Sequence, residues 1–385
     1  MSKVLILGGR APVALDHARR FAAQGWQVIM ADSVSCRLSS WSSAVHEAVR
    51  LPSPRRSPEL FVAEIRSVIR RYGIDMVLPT CEEVFYLSRY RRSLPQSCRI
   101  VCDEFDKLRT LHSKWDFLAL IRQAGGHAPE SWLVDDLSQA HAWAQARPVV
   151  LKPEFSRFGV HVRICPQGLA DDMAPLPALG RWVVQQYCEG SELCSYSIAD
   201  RGRLLAHALY RPRHRLNRSA SFYFEQQQRQ EVLDVVTRLV AQLEFTGQIS
   251  FDWIEAADGR LYPLECNPRA TSGLHLFGLD DDVPAALCGD VAEMVFPPQG
   301  AACMLAPIMY GPGLFKAVTG GQVASWRDDS RRARDVLCAW PDLAPLAGGV
   351  VDMACFAANA LVRGCSLREA ATSDIEWDGE ELPCL

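Results

Sequence analysis

Four polar side chains in the second half of the chain have types and a spacing that suit metal and phosphate chemistry. Glu265, Asn267 and Arg269 occupy alternate positions in the stretch LECNPRATSGLHLF, and Asp252 precedes them in the apolar stretch ISFDWIE. The turn signal at residues 257–259 predicts that both stretches form one β-hairpin, which brings Asp252 and Glu265 together on one face. Asn267 shares that face because side chains two apart in a strand point the same way.

These groups predict a metal site on the hairpin. Two carboxylates and an amide oxygen are hard ligands of the kind that Mg²⁺ prefers, and Mg²⁺ commonly takes phosphate oxygens as further ligands. The other interpretation is a solvated polar face on an edge hairpin. The apolar residues on both sides indicate buried strands and favour the metal. We therefore predict that Asp252, Glu265 and Asn267 bind Mg²⁺ or Mn²⁺.

Two lysines are candidates for contacts with phosphates. Lys152 ends the apolar stretch VVLKPE, and the loop FSRFG, residues 155–159, follows it. A lysine at a strand end beside a loop suits phosphate contact, although a lone lysine there is usually only solvated. Lys114, near the start of the preceding helix, raises the same possibility. In the loop, Arg157 is a further candidate for phosphate contact.

The stretch VVQQYCEGSE could bind a nucleoside. A buried strand runs into Gln185, Gln186 and Tyr187, which could present backbone groups to an adenine edge, and Glu192 could accept ribose hydroxyls. The alternative is a strand, a turn and a surface glutamate. These residues alone leave both interpretations open.

A basic segment, YRPRHRLNR at residues 210–218, lies between this stretch and the hairpin. Runs of charge are usually solvated loops. Its position also allows Arg211, Arg213 or Arg215 to bind a substrate carboxylate, and we take Arg213 as the catalytic candidate. His275 is another candidate, although a lone histidine is more often structural.

The elements that must position these groups begin with an alternation of strand and helix patterns, which predicts a parallel sheet covered by helices. The predicted strands are KVLILG, WQVIMADS, IDMVLPT and RIVCD. One predicted helix ends at Gln24, and a second covers residues 58–72. Ligands bind open α/β sheets at the carboxyl ends of the strands. Glu82 and Glu83 follow one such end and would suit an ammonium group.

The turn at Gly8-Gly9 follows the first strand, where a dinucleotide could bind. The glycines of the fingerprint GxGxxG do not follow at the needed positions, so we predict a tight turn instead.

After residue 105 the patterns change to antiparallel strands and helices. A helix is predicted over residues 107–125, and another over residues 225–243. The predicted strands are RPVVLKPE, HVRICP and RWVVQQYCEG, and two hairpins are predicted, SELCSYSIAD with RLLAHALYRP and GQISFDWIEA with RLYPLECNPR. The last part contains a strand or loop at MLAPIMYGPGLF, a helix in GGVVDMACFAANALVRG and an acidic tail, IEWDGEELPCL, predicted to be exposed.

Composition narrows the class of protein. The net charge of −4 over 385 residues gives no reason to expect nucleic acid as the main partner. The 14 cysteines are scattered without a CxxC motif, which indicates a reducing, cytoplasmic compartment. No signal peptide is expected, and no apolar stretch of about 18 residues predicts a membrane span.

These pieces in this order resemble the ATP-grasp superfamily of ATP-dependent carboxylate ligases over about residues 1–290. The most specific motif is Glu265-x-Asn267-Pro268-Arg269, preceded at hairpin distance by Asp252. Relatives with this form include carbamoyl-phosphate synthetase, biotin carboxylase and amino-acid ligases. The resemblance implies an N-terminal α/β domain at 1–105 and an α+β ATP-grasp clamp at 106–295 with its lid at about 115–190. The extension at 296–385 falls outside the resemblance.

The resemblance also implies roles and cofactors. Asp252, Glu265 and Asn267 would hold Mg²⁺ on ATP, and Lys114 and Lys152 would contact phosphates from the two sides of the clamp. The adenine hinge would be Gln185, Gln186 and Tyr187, with Glu192 on the ribose. Arg269 would stabilise an acyl phosphate that forms from a small-molecule carboxylate and reacts with an amine. The extension would cap the substrate pocket or form a homodimer interface.

Two alternatives remain at this stage. One is a carboxylase that acts through carboxyphosphate, and the other is a nucleotide-binding regulator without turnover. The complete set of metal ligands favours an enzyme. One departure from the family is the loop after Lys152, which usually carries several glycines and here has only Gly159.

Overall fold

The computed structural model describes residues 1–35, 37–157, 159, 161–216 and 221–383. Its first sheet is parallel, as predicted, with strand order β3-β2-β1-β4-β5. The strands are β1 (Lys3–Leu7), β2 (Gln27–Asp32), β3 (Glu47–Arg50), β4 (Met76–Leu78) and β5 (Arg99–Ile100). Its helices are α1 (Pro12–Ala23), α2 (Pro58–Tyr72) and α3 (Glu83–Tyr90). The sequence did not reveal β3, because this short edge strand is not fully buried and lacks an apolar run.

The helix predicted over residues 107–125 is wrong, because the chain forms two helices there, α4 (Phe105–His112) and α5 (Asp116–Gln123). The Ser113 hydroxyl accepts the amide of Asp116 at 3.0 Å, as an N-cap does. The amide of Lys114 donates to the carbonyl of Glu154 at 3.1 Å. The break therefore places Lys114 against the strand that carries Lys152.

A four-stranded antiparallel sheet follows, with order β6-β9-β7-β8. Its elements are β6 (Ser131–Val134), α6 (Leu137–Ala144), β7 (Val149–Pro153), β8 (Arg163–Cys165) and β9 (Trp182–Gln186). The three strands predicted for this region correspond to β7, β8 and β9.

A seven-stranded sheet follows, with order β14-β13-β10-β11-β12-β15-β16. Its last two strands lie beyond residue 295, so the predicted extension shares this sheet with the predicted clamp. The strands are β10 (Gly190–Asp200), β11 (Arg203–Pro212), β12 (Tyr223–Gln227), β13 (Gly247–Ala256), β14 (Leu261–Asn267), β15 (Ala302–Met304) and β16 (Arg334–Asp335). Both predicted hairpins are present. The helix predicted over residues 225–243 begins only at Gln230, because the preceding residues pair with β11 and β15 as strand β12.

The remaining helices are α7 (Gln230–Gln242), α8 (Val283–Cys288), α9 (Ala306–Ile308), α10 (Leu314–Thr319), α11 (Val323–Arg332), α12 (Ala344–Arg363) and α13 (Leu367–Thr372). Short 3₁₀ segments occur at Leu38–Trp41, Arg91–Ser93 and Ser272–Leu276, and a π-helical turn at Met309–Gly313.

Helix α12 packs on the 3₁₀ segment Leu38–Trp41 of the first domain. Asp352 accepts the amide of Leu38 at 2.7 Å. A Cβ on Gly348 would lie 2.7 Å from the Trp41 ring, so only glycine allows this approach. Within the described ranges, α12 is the one helix long and apolar enough to cross a membrane, a test that core helices of soluble proteins also pass.

The acidic tail is not the exposed segment that the sequence predicted. Trp377 is 1% exposed, and its ring stacks on Phe85 with centroids 4.9 Å apart. The tail therefore packs into the molecule instead of extending into solvent.

The first sheet and the clamp share a buried interface. Asp16 on α1 contacts Arg20 at 3.1 Å and His275 of the clamp at 2.8 Å. Gln248 on β13 connects His17 at 2.9 Å with Tyr196 at 2.7 Å. Gln248 also donates to the carbonyl of Pro79 at 2.9 Å, so these contacts hold β13 against the carboxyl end of β4 in the parallel sheet.

Candidate active site

The hairpin of β13 and β14 brings its polar residues together. Asp252 pairs directly with Glu265 in the register of the two strands, and Ser250 pairs with Asn267. The Asn267 amide nitrogen donates to Glu265 Oε1 at 3.4 Å, and Arg269 donates to Asn267 Oδ1 at 3.1 Å. The two carboxyls, the amide and the guanidinium thus lie within one group of contacts.

The two carboxyls differ in their affinity for protons. Burial and the neighbouring Glu265 raise the pKa of Asp252 to about 8. Burial opposes ionisation of Glu265 as well, but Lys114 and the hydrogen bond from Asp252 lower its pKa below the ordinary value. Adjacent buried carboxylates repel each other, and a divalent cation would allow both to ionise.

The donor set fits a metal that also binds phosphate. Among the described residues, no group of three or more His, Cys, Asp and Glu side chains could hold a metal ion. The predicted set has two carboxylates and an amide, so a metal here must take its other ligands from water or a bound phosphate.

Both predicted phosphate lysines approach this hairpin. Lys114 Nζ lies 3.8 Å from Glu265 Oε2 and donates to the carbonyl of Ser156. Lys152 Nζ donates to the carbonyl of Leu264 at 2.8 Å. Burial lowers the pKa of both lysines, to about 7 for Lys152, where the charge of Lys114 adds to the effect. Two buried lysines therefore lie beside the paired carboxyls.

The predicted adenine hinge stands at the end of β9, but the Gln185 side chain has another partner. It accepts from Lys152 Nζ at 2.9 Å and donates to Ser131 Oγ at 2.9 Å. Gln185 therefore orients the lysine, a role that the sequence did not suggest. The backbone amide of Gln186 donates to the carbonyl of Glu130 at 2.8 Å, and the backbone amide of Tyr187 donates to the carbonyl of Pro148 at 3.1 Å.

Glu192 and the basic segment lie near β10 and β11. Glu192 forms an ion pair with Arg215. Arg213, the catalytic candidate, instead contacts Asp329 at 3.1 Å and Glu225 at 3.6 Å. The structure thus does not bring Arg213 to the hairpin of β13 and β14, because the carboxylates of Asp329 and Glu225 bind its guanidinium.

The other members of the basic segment do not join the hairpin group either. Arg211 lies 3.5 Å from Glu255. Arg218 lies outside the described residues.

The two glutamates at the end of β4 have different surroundings. Glu83 Oε1 accepts the amides of Thr80 and Cys81, each at 2.9 Å, so Glu83 holds the strand-end turn. Glu82 is buried, forms an ion pair with Arg157 and lies 3.7 Å from Arg269.

The remaining candidates are settled by their contacts. His275 is buried against Asp16 and supports the interface between the first sheet and the clamp. Arg157 forms ion pairs with the carboxylates of Glu82, Glu376 and Asp378. Phe158 of the same loop lies outside the described residues.

Sequence reasoning missed two groups at this site. The Cys194 thiol contacts the Asp252 carboxyl, and Tyr210 contacts that thiol. Glu376 and Asp378 of the tail reach Arg157 from more than two hundred positions away. The alternation of β10 indicated that Cys194 shares the face of Glu192, whereas no local pattern indicates the path of the tail.

Comparison with known proteins gives the class of the chain. Residues 111–273 match the family model of the ATP-grasp domain. A search of curated proteins finds no match. Residues 111–273 are therefore an ATP-grasp domain, which confirms the predicted resemblance for this part of the chain.

Solved structures have the same fold at low identity. N5-carboxyaminoimidazole synthetase from Staphylococcus aureus has 13% identity and a TM-score of 0.63, over 83% of this chain and 85% of that one. L-amino acid ligase from Bacillus licheniformis has 15% identity and a TM-score of 0.60, over 79% and 80%. The biotin carboxylase domain dimer of the Hydrogenobacter thermophilus 2-oxoglutarate carboxylase, solved with MgADP, ADP and bicarbonate, has 14% identity and a TM-score of 0.58, over 77% and 71%.

Proposed function

We propose that this chain is an ADP-forming ligase that joins a small-molecule carboxylate to an amine, with Mg²⁺ and ATP. The observation that carries the proposal is the pairing of Asp252 with Glu265 between two buried lysines, with Arg269 alongside. Phosphoryl transfer requires mainly positioning and neutralisation of charge, and this group supplies both. The ADP and Mg²⁺ in a structure of the same fold agree with it.

The residues would divide the work in a simple way. Asp252, Glu265 and Asn267 would hold Mg²⁺, which when bound neutralises charge on phosphate oxygens. Lys114 and Lys152 would bind the phosphates of ATP from two sides. Arg269 suits the substrate carboxylate and the acyl phosphate, because a guanidinium can contact two oxygens at once.

The reaction balances without any further reactant. A carboxylate oxygen attacks the γ-phosphorus of ATP, and ADP leaves. The amine nitrogen then attacks the acyl carbon, the phosphate leaves with the bonding electrons, and the nitrogen loses a proton.

The test is release of ADP from ATP and Mg²⁺ across panels of carboxylates and amines. ADP that forms only when an acid and an amine are both present supports the ligase. AMP as the product would overturn the acyl-phosphate mechanism. Identifying the amide product by mass then gives the substrates.

A second candidate is carboxylation of an amine through carboxyphosphate. The observation in its favour is the fold that the chain shares with N5-carboxyaminoimidazole synthetase over 83% of its length. Bicarbonate in the acid panel separates the two candidates, because this reaction needs bicarbonate and no other acid.

The other partners remain proposals. We expect small-molecule substrates, a cytoplasmic location and no nucleic acid or membrane partner. The extension at 296–385 would cap the site or mediate a homodimer, and light scattering after size exclusion measures the oligomeric state.

A further inference from the structure

The end of the chain lies against the loop that follows Lys152. We name residues 374–380 the C-terminal strap and residues 154–157 the Lys152 loop. The Trp377 ring lies edge-on to Phe155 with centroids 5.2 Å apart. Gly379 has a φ of +92°, and a Cβ there would lie 2.5 Å from the Phe155 ring. The strap therefore packs closely on the loop, at a place where only glycine fits.

The strap also holds the guanidinium of the loop. Arg157 lies 2.7 Å from Asp378 Oδ1 and 3.7 Å from Glu376 Oε1, and it donates to the carbonyl of Trp377 at 3.3 Å. Its side chain is only 5% exposed. On its other side Arg157 pairs with Glu82 of the first domain.

The strap is fixed to the first domain independently of the loop. Asp374 contacts Arg10 at 2.7 Å, and its carbonyl accepts Ser53 Oγ at 2.7 Å. Tyr86 donates to the carbonyl of Glu376 at 2.7 Å, and Arg55 lies 2.8 Å from Asp378. The strap is thus a fixed support, against which the loop can be ordered.

The Lys152 loop connects the strap to the hairpin of β13 and β14. Its Ser156 carbonyl accepts from Lys114, which lies 3.8 Å from Glu265. The partner of Arg157, Glu82, lies 3.7 Å from Arg269. A shift of the loop would therefore disturb one phosphate lysine and the environment of Arg269 together.

We propose that the C-terminal strap positions the Lys152 loop for catalysis, with Trp377, Asp378 and Glu376 as positioning residues. The C-terminal extension is then part of the active site. This inference rests on the proposed function for its kinetic consequence only.

Limited trypsin digestion tests the contact without any substrate. Cleavage after Arg157 requires the loop to leave the strap, so its rate follows the open population. We expect Trp377→Ala to raise that rate about tenfold or more, and Trp377→Phe to stay near the wild-type rate. Trp340→Ala is the matched control, because Trp340 is 86% exposed and lies outside the strap. An unchanged rate in a folded Trp377→Ala protein would overturn the proposal.

A second variant covers the outcome in which Trp377→Ala does not fold. Glu376→Gln with Asp378→Asn keeps the aromatic packing and removes the charges that hold Arg157. We expect cleavage after Arg157 to rise several-fold while other arginine sites keep their rates. Protection equal to that of the wild type would overturn the role of the carboxylates.

Turnover gives the readout that a purely structural strap would not affect. With a substrate pair from the panels, we expect kcat to fall about tenfold or more in Trp377→Ala, with a smaller change in KM for ATP and recovery in Trp377→Phe. Faster cleavage with unchanged kcat would refute positioning. A wild-type chain without ligase activity would refute the proposed function instead, and the digestion result would stand.

Discussion

Asp252 and Glu265 face each other on one hairpin, yet their pKa values shift in opposite directions. Burial and Glu265 raise the pKa of Asp252 to about 8, whereas Lys114 and the hydrogen bond from Asp252 lower that of Glu265 against its burial. Such a pair titrates as a unit, because ionisation of one carboxyl opposes ionisation of the other. A divalent cation bound here would favour the ionised form of both carboxyls.

The first prediction concerns Glu265. Glu265→Gln removes the ionised member of the pair, so we expect ADP release to fall at least about a hundredfold while the protein stays folded. Steady-state assays and thermal unfolding measure the two quantities. Glu231→Gln, on the exposed face of α7, is the matched control and should keep full activity. An active Glu265→Gln enzyme would contradict the metal assignment.

The second prediction concerns Lys152, whose pKa of about 7 reflects burial and the charge of Lys114, opposed by Glu265, Cys188 and Asp252. A phosphate raises the pKa of this lysine, so ADP without metal should bind with proton uptake at pH 8 and lose affinity as the pH rises from 7 to 9.

Calorimetry in buffers of different ionisation enthalpy measures that proton uptake. We expect up to about one proton for each ADP in the wild type and clearly fewer in Lys152→Met. Equal uptake in both proteins would assign the effect to another group, such as Lys114.

Among the elements, the break between α4 and α5 matters most for the site. Ser113 accepts the amide of Asp116 and donates to Glu154 at 2.7 Å, and this turns Lys114 towards the hairpin. A continuous helix, as the apolar periodicity predicts, would not bring Lys114 to Glu154 in this way.

The third prediction follows from this break. Ser113→Ala removes the cap, so we expect the free energy of unfolding to fall by about 1 kcal/mol and MgADP to bind more weakly. Urea unfolding and calorimetry measure these changes. Thr110→Ala, a partly buried position in α4, serves as the comparison and should leave nucleotide affinity unchanged. Unaltered MgADP affinity in Ser113→Ala would show that the break between α4 and α5 does not affect nucleotide binding.

At the scale of the whole molecule, the first sheet and the clamp share a core across the predicted boundary near residue 105. Asp16 is the polar centre of this interface, since it contacts Arg20 and His275. Burial would raise its pKa, but Arg20 and His275 hold the pKa of Asp16 below its ordinary value.

The fourth prediction tests this continuity. Asp16→Asn leaves Arg20 buried without its counter-charge, so we expect a loss of about 3–5 kcal/mol in the free energy of unfolding. Tryptophan fluorescence and circular dichroism should report one shared transition at lower urea. Glu104→Gln removes an exposed ion pair with Arg92 and should cost at most about 1 kcal/mol. Two separate transitions would show that the parts unfold independently.

The sequence was enough to predict the parallel first sheet, both hairpins and the facing of Asp252 and Glu265. These features depend on hydrophobic periodicity and on turn residues only a few positions apart. In a strand, residues two positions apart share a face, so the spacing alone shows which side chains lie together. It did not determine the break at Ser113 or strand β12, because side-chain capping and sheet pairing overrode local helix propensity there.

The packing of distant elements determines which charged groups meet. It pairs Arg213 with Asp329, lets Glu83 accept backbone amides and places the Gln185 side chain against Lys152. It also brought the acidic tail to Arg157, a contact between residues 221 positions apart. Such pairs depend on how distant elements pack, and a buried charge takes whichever partner that packing supplies.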